Sequence, residues 1–168
     1  MAEATLSLAL ASLHETRAVG TLLGGALRPG AIVLLFGELG SGKTTFAKAI
    51  CEGLGIAPEN VISPTYTLVN IYPGTPAVHH VDFFRIERPE ALLELDRSDW
   101  IDPGGISLIE WPEKALPLLE GEAVLQARLS VPPHDRNLRQ LVLRDEKEAY
   151  GPVFASLASR APRQAEPR

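Results

Sequence analysis

Residues 37–44 read Gly37-Glu38-Leu39-Gly40-Ser41-Gly42-Lys43-Thr44 and match the pattern Gly-x-x-x-x-Gly-Lys-Thr at every fixed position. Glycines allow successive backbone N–H groups to point inward at phosphate oxygens, and the first turn of a following helix adds partial positive charge. In such a loop Lys43 supplies an ammonium group for the β- and γ-phosphates, while Thr44 offers its hydroxyl to Mg²⁺. Chance produces this pattern in about 1% of chains of this length. We therefore predict a phosphate-binding P-loop that contacts nucleotide through residues 37–45, including Thr45.

The segments on either side of this loop have the order that a P-loop requires. Residues 31–36 are apolar without alternation, which is typical of a strand buried on both faces. Lys43 begins a predicted helix that extends to about Leu54, and Gly55 stands where a C-terminal helix cap is common. A strand, a glycine-rich loop and a helix in this order predict an α/β nucleotide-binding domain.

The rest of the chain has the periodicity of further strands and helices. Ser12 and Glu15 have capping-box spacing, which predicts that a helix begins at residue 13. Residues 73–76 join two β-rich segments at hairpin spacing, which predicts an antiparallel strand pair. We predict strands at 4–10, 66–72, 77–82, 106–109, 122–131 and 138–144, and helices at 13–24, 89–95 and 146–158.

Length and composition fit one globular domain. The chain has 168 residues, 45% of them hydrophobic, and we assign residues 1–159 to a single P-loop domain and 160–168 to a disordered tail. The fold class is α/β, with a mixed, mostly parallel sheet flanked by helices.

The formal net charge of −5 argues against a protein that binds nucleic acid by itself. No apolar run approaches the length of about 20 residues that a membrane span needs. The single cysteine, Cys51, suits a reducing cytoplasm, and we expect it to be an inert core residue.

Two carboxylates end predicted strands and are candidates for Mg²⁺ binding or for activation of water. Asp82 closes the strand at 77–82, and Glu110 follows the strand at 106–109. Ligands of open α/β sheets bind beyond the carboxyl ends of the strands, so both side chains are placed to converge on the P-loop. An acidic residue in such a position can instead cap a turn, and spacing does not say which carboxylate contacts Mg²⁺.

Other residues near these strands have two interpretations each. Thr65, in Ser63-Pro64-Thr65-Tyr66, can reach the γ-phosphate as switch loops do, or can lie in an ordinary turn. Trp111 can cover a ligand or can pack beside the sheet as a buried aromatic side chain. His79 and His80 are adjacent in a strand and therefore face opposite sides of the sheet, which makes them a poor pair of metal ligands.

Three further motifs accompany the P-loop. Ser-Pro-Thr-Tyr-Thr occupies residues 63–67, His-Val-Asp-Phe-Phe-Arg occupies 80–85, and Ile-Glu-Trp-Pro-Glu occupies 109–113. Together with residues 37–46 and in this order, they closely resemble the TsaE family, the bacterial ATPases of the tRNA threonylcarbamoyladenosine modification machinery. The resemblance covers roughly residues 5 to 145. Many families share the P-loop, whereas the segments at 63–67 and 109–113 are far more specific.

The resemblance implies an ATP hydrolase with ATP and Mg²⁺ as cofactors. Thr44 and Glu110 would hold Mg²⁺, and Asp82 would orient or activate the attacking water. Residues 63–66, with Thr65, would form a switch that responds to the nucleotide. These roles come from the matching motif positions and complete a catalytic set of Lys43, Asp82 and Thr65.

The resemblance also implies partners. Family members work with the threonylcarbamoyl transferase catalytic subunit and its non-catalytic paralogue, in the modification of adenosine 37 of tRNA. Contact with tRNA would then be indirect, in the cytoplasm and away from membranes. Arg136 matches a family arginine near the nucleotide, although Asp135 replaces the glycine that often precedes it.

Two other functions are compatible with a P-loop. A small-molecule kinase would carry an arginine-bearing lid, for which Arg136-x-x-Arg139 is a candidate, but residues 136–143 alternate like a strand. A nucleotide-binding module with negligible turnover needs no hydrolytic residues, and the presence of Asp82 and Glu110 argues against it. Slow turnover in the absence of partners is compatible with all of these residues.

Overall fold

The computed structural model describes residues 3–160. Within these residues, seven strands and three α-helices form the framework, and short 3₁₀ segments complete it. The strands are β1 (Ala4–Leu10), β2 (Ile32–Phe36), β3 (Val69–Tyr72), β4 (Val78–Asp82), β5 (Ile106–Glu110), β6 (Val124–Ser130) and β7 (Arg139–Asp145). The helices are α1 (Leu13–Ala26), α2 (Lys43–Gly53) and α3 (Gly151–Arg160). The 3₁₀ segments are Pro58–Asn60, Pro89–Glu94, Arg97–Asp99, Pro112–Lys114 and Leu116–Leu119.

In the described residues the strands form one sheet with the order β1-β7-β6-β2-β5-β4-β3. The four central strands, β6, β2, β5 and β4, are mutually parallel. Strand β3 pairs antiparallel with β4 at one edge, as the hairpin spacing predicted, and β7 and β1 add antiparallel pairs at the other edge. The mixed α/β sheet is therefore confirmed. Its parallel part is the centre, so the carboxyl ends of four neighbouring strands meet at one edge of the sheet.

The two faces of the sheet are covered differently. All five residues of β2 are buried. Val33 and Leu35 pack with the three α-helices, whereas Leu34 and Phe36 pack with the 3₁₀ segments on the opposite face. Burial on both faces explains why this strand is an apolar run without alternation.

Helix α2, which carries the P-loop lysine, lies very close to α1. A methyl group on Gly24 would overlap the backbone carbonyl of Ile50, and one on Gly53 would overlap the carbonyl of Thr21. The two helices approach this closely because glycine has no side chain at these positions. The contact fixes the direction of α2 and therefore the direction in which its N-terminal end points.

Most predicted elements are confirmed, with several corrected boundaries. Helix α1 begins after Ser12, whose hydroxyl accepts a hydrogen bond from the N–H of Glu15, as predicted. Strand β3 begins at Val69 rather than at residue 66, because residues 64–68 form a turn in which the N–H of Leu68 donates to the carbonyl of Pro64. Residues 89–94 form a 3₁₀ segment rather than an α-helix.

The last helix begins five residues later than predicted. Helix α3 starts at Gly151, since the carboxylate of Asp145 accepts hydrogen bonds from the N–H groups of Ala149 and Tyr150 and holds the preceding turn. The predicted tail at 160–168 lies outside the described residues except for Arg160, which ends α3. Within residues 3–160, no helix combines the length and the apolar character that crossing a membrane requires.

Candidate functional site

The P-loop joins β2 to α2 at the carboxyl edge of the parallel strands. Gly37 has a φ of 147° and Gly42, the residue before the helix, has a φ of 104°. Only glycine adopts these angles without strain. A Cβ atom on Gly37 would also overlap the Ser41 side chain and the carbonyl of Leu129. These two glycines thus allow the loop to turn tightly above the N-terminal end of α2.

Lys43 is nearly buried, with 5% of its surface exposed, and its ammonium group contacts the loop itself. The Nζ atom donates to the carbonyl oxygens of Gly37 and Glu38 at 2.6 and 3.0 Å. It also lies 4.0 Å from the centre of the Trp111 ring. Burial lowers the pKa of Lys43, and the nearby carboxylates, led by Glu110, oppose this shift.

Glu110 connects the end of β5 to the first turn of α2. It is 2% exposed, and its Oε2 atom accepts a hydrogen bond of 2.8 Å from the Thr44 hydroxyl. Its other oxygen, Oε1, lies 2.8 Å from Nε2 of His80. Both carboxylate oxygens therefore have a partner in the described structure, and one of those partners is the P-loop threonine.

Asp82 connects the end of β4 to the segment that precedes β3. It is the direct neighbour of Glu110 in the β4–β5 pair. Its Oδ2 atom accepts a hydrogen bond of 2.7 Å from the Thr65 hydroxyl, and its Oδ1 atom accepts one of 2.8 Å from the N–H of Phe84. The expected convergence of both carboxylates on the P-loop is seen in the structure.

Two adjoining cavities open beside the P-loop. One has a volume of about 340 Å³ and the other of about 460 Å³. Gly42, Thr45 and Arg139 line both of them. The smaller one is also lined by Leu39, Gly40, Lys43, Thr44, Thr65, Asp82, Phe84, Glu110 and Trp111. The larger one is also lined by Ala11, Ser12, Leu13, Thr16 and Asn137. Volumes of this size are typical of sites for small molecules.

The structure brings Arg139 to the P-loop, whereas the sequence suggested this residue only as part of a kinase lid. Arg139 lines both cavities, whereas Arg136 is an exposed turn residue that lines neither of them. Which of the two arginines faces the P-loop depends on the residue at which β7 begins. No feature of the sequence indicated that this residue is Arg139. The alternation after Arg136 is confirmed as strand β7, so Arg139 belongs to the sheet rather than to a lid.

His80 and Trp111 have more definite surroundings than the sequence indicated. His80 is fully buried against Glu110, while Nδ1 of His79 donates to the carbonyl oxygen of Asp99, so the two rings face opposite sides as predicted. Trp111 has a φ of 53°, a left-handed conformation that is strained for a bulky residue. Such strain is common beside functional sites, and here it directs the ring towards Lys43.

Cys51 is fully buried in the core that α1 and α2 share. Burial raises the pKa of its thiol to about 12, so the thiolate is not formed at neutral pH. The structure therefore supports the prediction of an inert core residue.

A P-loop between a buried parallel strand and a helix, with carboxylates at the ends of two neighbouring strands, defines an α/β protein of the P-loop class. Comparison with known families makes the class more specific. A family model described as "Threonylcarbamoyl adenosine biosynthesis protein TsaE" matches residues 10–140. The chain belongs to the TsaE family, and the resemblance of its motifs is confirmed.

Individual relatives agree with this membership. The protein named tRNA threonylcarbamoyladenosine biosynthesis protein TsaE in Treponema pallidum is 36% identical over 103 residues, which cover 61% of this chain and 76% of that protein. The protein of the same name in Bacillus subtilis is 39% identical over 119 residues, with 70% of each chain covered. The crystal structure of YdiB from Bacillus subtilis matches with a TM-score of 0.74 at 24% identity, covering 95% of this chain and 97% of that one. This last likeness supports the fold.

Proposed function

We propose that the chain is a Mg²⁺-dependent ATPase that supports threonylcarbamoyladenosine modification at position 37 of tRNA. The observation that carries the proposal is the pair of contacts across one cavity, Thr44 with Glu110 and Thr65 with Asp82. The first pair is suited to a metal ion and the second to a water molecule. Both lie beside the P-loop, where the terminal phosphates of a nucleotide would bind.

The P-loop supports binding of a triphosphate. The ammonium group of Lys43 has only backbone carbonyls and an aromatic face as contacts in the described residues. A phosphate oxygen is a stronger partner for an ammonium group because a charge-assisted hydrogen bond is roughly twice as strong as a neutral one. Ser41 of the same loop has a buried hydroxyl with no hydrogen-bond partner in residues 3–160, but this residue lines neither cavity. The adjoining larger cavity has room for the base and the ribose.

The residues that would hold Mg²⁺ fit that ion. The Thr44 hydroxyl and the Glu110 carboxylate offer hard oxygen ligands in direct contact. Residues 3–160 contain no cluster of three or more His, Cys, Asp or Glu side chains suited to a metal. This agrees with Mg²⁺, which is usually held by one or two protein ligands together with substrate phosphates. When bound, the ion neutralises charge that develops on the phosphates.

Asp82 is the residue best suited to hold the attacking water. Its carboxylate is 3% exposed and accepts the Thr65 hydroxyl, so a change in the position of residue 65 frees one carboxylate oxygen. That oxygen can then accept a hydrogen bond from water and orient it towards the γ-phosphate. We infer that residues 63–66 are the switch and that hydrolysis is slow until a partner orders them.

The family description supports the place of this ATPase in tRNA modification. We propose that its partners are the threonylcarbamoyl transferase catalytic subunit and its non-catalytic paralogue, and that these proteins rather than this chain contact tRNA. The chain would act with them in the cytoplasm.

The test measures phosphate release from Mg²⁺-ATP by the purified chain, alone and with the two transferase subunits, in the absence of any phosphate acceptor. We expect a low basal rate that rises at least about tenfold with the partners. Such a rise means that ordering of the switch lowers the activation free energy of hydrolysis by about 1.4 kcal/mol or more. Lys43→Ala should abolish the rate and serves as the control for contaminating ATPases. Equal rates with and without partners contradict the partner role, and a need for a hydroxyl acceptor favours a kinase.

A further inference from the structure

His80 is a buried polar residue that the proposed hydrolysis does not use. Its surface is 0% exposed, and its Nε2 atom lies 2.8 Å from Oε1 of Glu110. Its Nδ1 atom has no hydrogen-bond partner in the described part of the chain. A buried imidazole is costly unless its polar atoms are satisfied, so the contact with Glu110 accounts for its place in the core.

The hydrogen bonds assign the proton on the ring. A carboxylate oxygen is an acceptor, so Nε2 of His80 must donate to Glu110. A proton on Nδ1 would leave a buried N–H group without an acceptor, which costs about 1–3 kcal/mol. A ring hydrogen on Nε2, donated to Glu110, is therefore the arrangement that fits these surroundings.

The same contact limits the orientation of Glu110. His80 is paired with Leu108 in the β4–β5 register, and Glu110 lies two residues after Leu108 on the same strand. Because side chains two residues apart on a strand share a face, His80 and Glu110 lie on the same face of the sheet. Because Oε1 is occupied by His80, Oε2 is the oxygen that faces Thr44 and the P-loop. A freely rotating carboxylate would lose this preference and would pay conformational entropy each time it bound a cation.

We propose that His80 is a positioning residue that donates to Oε1 of Glu110 and thereby presents Oε2, together with the Thr44 hydroxyl, to a divalent cation. This inference deepens the proposed Mg²⁺-dependent function and rests on it. It concerns metal affinity rather than phosphate binding, since His80 is not among the residues that line either cavity. Removal of such an outer partner typically weakens metal binding by about 10–100-fold.

Two substitutions separate the hydrogen bond from the volume of the ring. In His80→Gln, the side-chain amide can place an N–H donor near the position of Nε2, whereas His80→Leu fills the space without a donor. For both variants and the unsubstituted chain, binding of a fluorescent ADP analogue is titrated in saturating Mg²⁺ and again in EDTA. Binding of Mn²⁺ in the presence of ADP, followed by electron paramagnetic resonance, gives the metal affinity without turnover. Thermal unfolding by circular dichroism confirms that each variant is folded.

We expect His80→Leu to bind Mn²⁺ at least about tenfold more weakly and to bind the analogue in EDTA within about twofold of the unsubstituted chain. His80→Gln should regain most of the metal affinity. The inference is overturned if His80→Leu binds Mn²⁺ as tightly as the unsubstituted chain. It is also overturned if His80→Gln binds Mn²⁺ no more tightly than His80→Leu. If His80→Leu does not fold, a folded His80→Gln variant that lacks metal binding overturns it. If the unsubstituted chain binds ADP without any gain from Mg²⁺, the proposed function fails, and the inference fails with it.

Discussion

At the residue scale, Asp82 and Glu110 are neighbouring carboxylates with different contacts, and the difference predicts different kinetic effects. Glu110 contacts Thr44 of the P-loop helix, whereas Asp82 contacts Thr65 and a backbone N–H. We expect Asp82→Asn to lower kcat for ATP by at least about 100-fold with little change in Mg²⁺ requirement, because the neutral amide cannot take a proton from water and has one acceptor oxygen fewer than the carboxylate. Glu110→Gln should instead raise the Mg²⁺ concentration needed for half-maximal rate. Titrations of rate against Mg²⁺ at saturating ATP check both, and identical profiles for the two variants would contradict separate roles.

The two arginines near the larger cavity provide a second prediction at this scale. Arg139 lines both cavities, and its side chain lies near Gly42, whereas Arg136 is exposed in the preceding turn. We expect Arg139→Ala to weaken nucleotide binding about tenfold, since a hydrogen bond to a charged group contributes about 1.5–3 kcal/mol. Arg136→Ala is the matched control and should change the affinity by less than about twofold. Calorimetric titration with ADP measures both, and the opposite order would support the family-based prediction for Arg136.

At the element scale, the contact between α1 and α2 depends on glycine. A methyl group on Gly24 would overlap the Ile50 carbonyl, whereas one on Gly25 would make an ordinary contact at 3.7 Å with the carbonyl of Gly53. We expect Gly24→Ala to destabilise the protein by about 1–3 kcal/mol, because overpacking exceeds the gain in helix propensity. Gly25→Ala should be neutral or slightly stabilising. Urea unfolding gives the free energies, and equal stability of the two variants would show that the helices can separate at no cost.

The same elements show what sequence can predict here. The P-loop, its strand and its helix follow from local pattern, because glycine spacing and an unbroken apolar run each have one common structural cause. The start of α3 could not be predicted, since it depends on hydrogen bonds that the N–H groups of Ala149 and Tyr150 donate to the carboxylate of Asp145. The pairing of His80 with Glu110 depends on strand register, which residue types alone do not give. The contact between His80 and Glu110 joins residues 30 positions apart, so it becomes visible only when the strands are paired.

At the scale of the whole molecule, one buried hydroxyl connects the C-terminal region to the centre of the sheet. Tyr150 directly precedes α3. Its hydroxyl accepts a hydrogen bond from the N–H of Ile32 in β2 and lies within donating distance of the carbonyl oxygens of Ile32 and of Ala123, which precedes β6. Burial raises the pKa of Tyr150 from 10.0 to about 12. The folded protein thus favours the neutral phenol. Ionisation removes the hydroxyl hydrogen that Tyr150 donates and so weakens the contact between the start of α3 and the sheet.

The sign of this shift predicts how stability depends on alkaline pH. A folded-state pKa above the unfolded value means that the contribution of Tyr150 is complete below pH 10.0 and is lost as the pH rises to about 12. Tyr150→Phe should therefore destabilise the protein at pH 7 by about 1–3 kcal/mol, because Ile32 and Ala123 lose a partner. The difference between the two proteins should shrink as the pH passes 10.0, since only the unsubstituted chain has this phenol to ionise. Urea unfolding at pH 7, 9 and 11 measures this difference while lysine and other tyrosine titrations cancel between the two chains. A difference that stays constant across this series would mean that the Tyr150 hydroxyl ionises equally well in the folded and unfolded states, contrary to its burial beside β2.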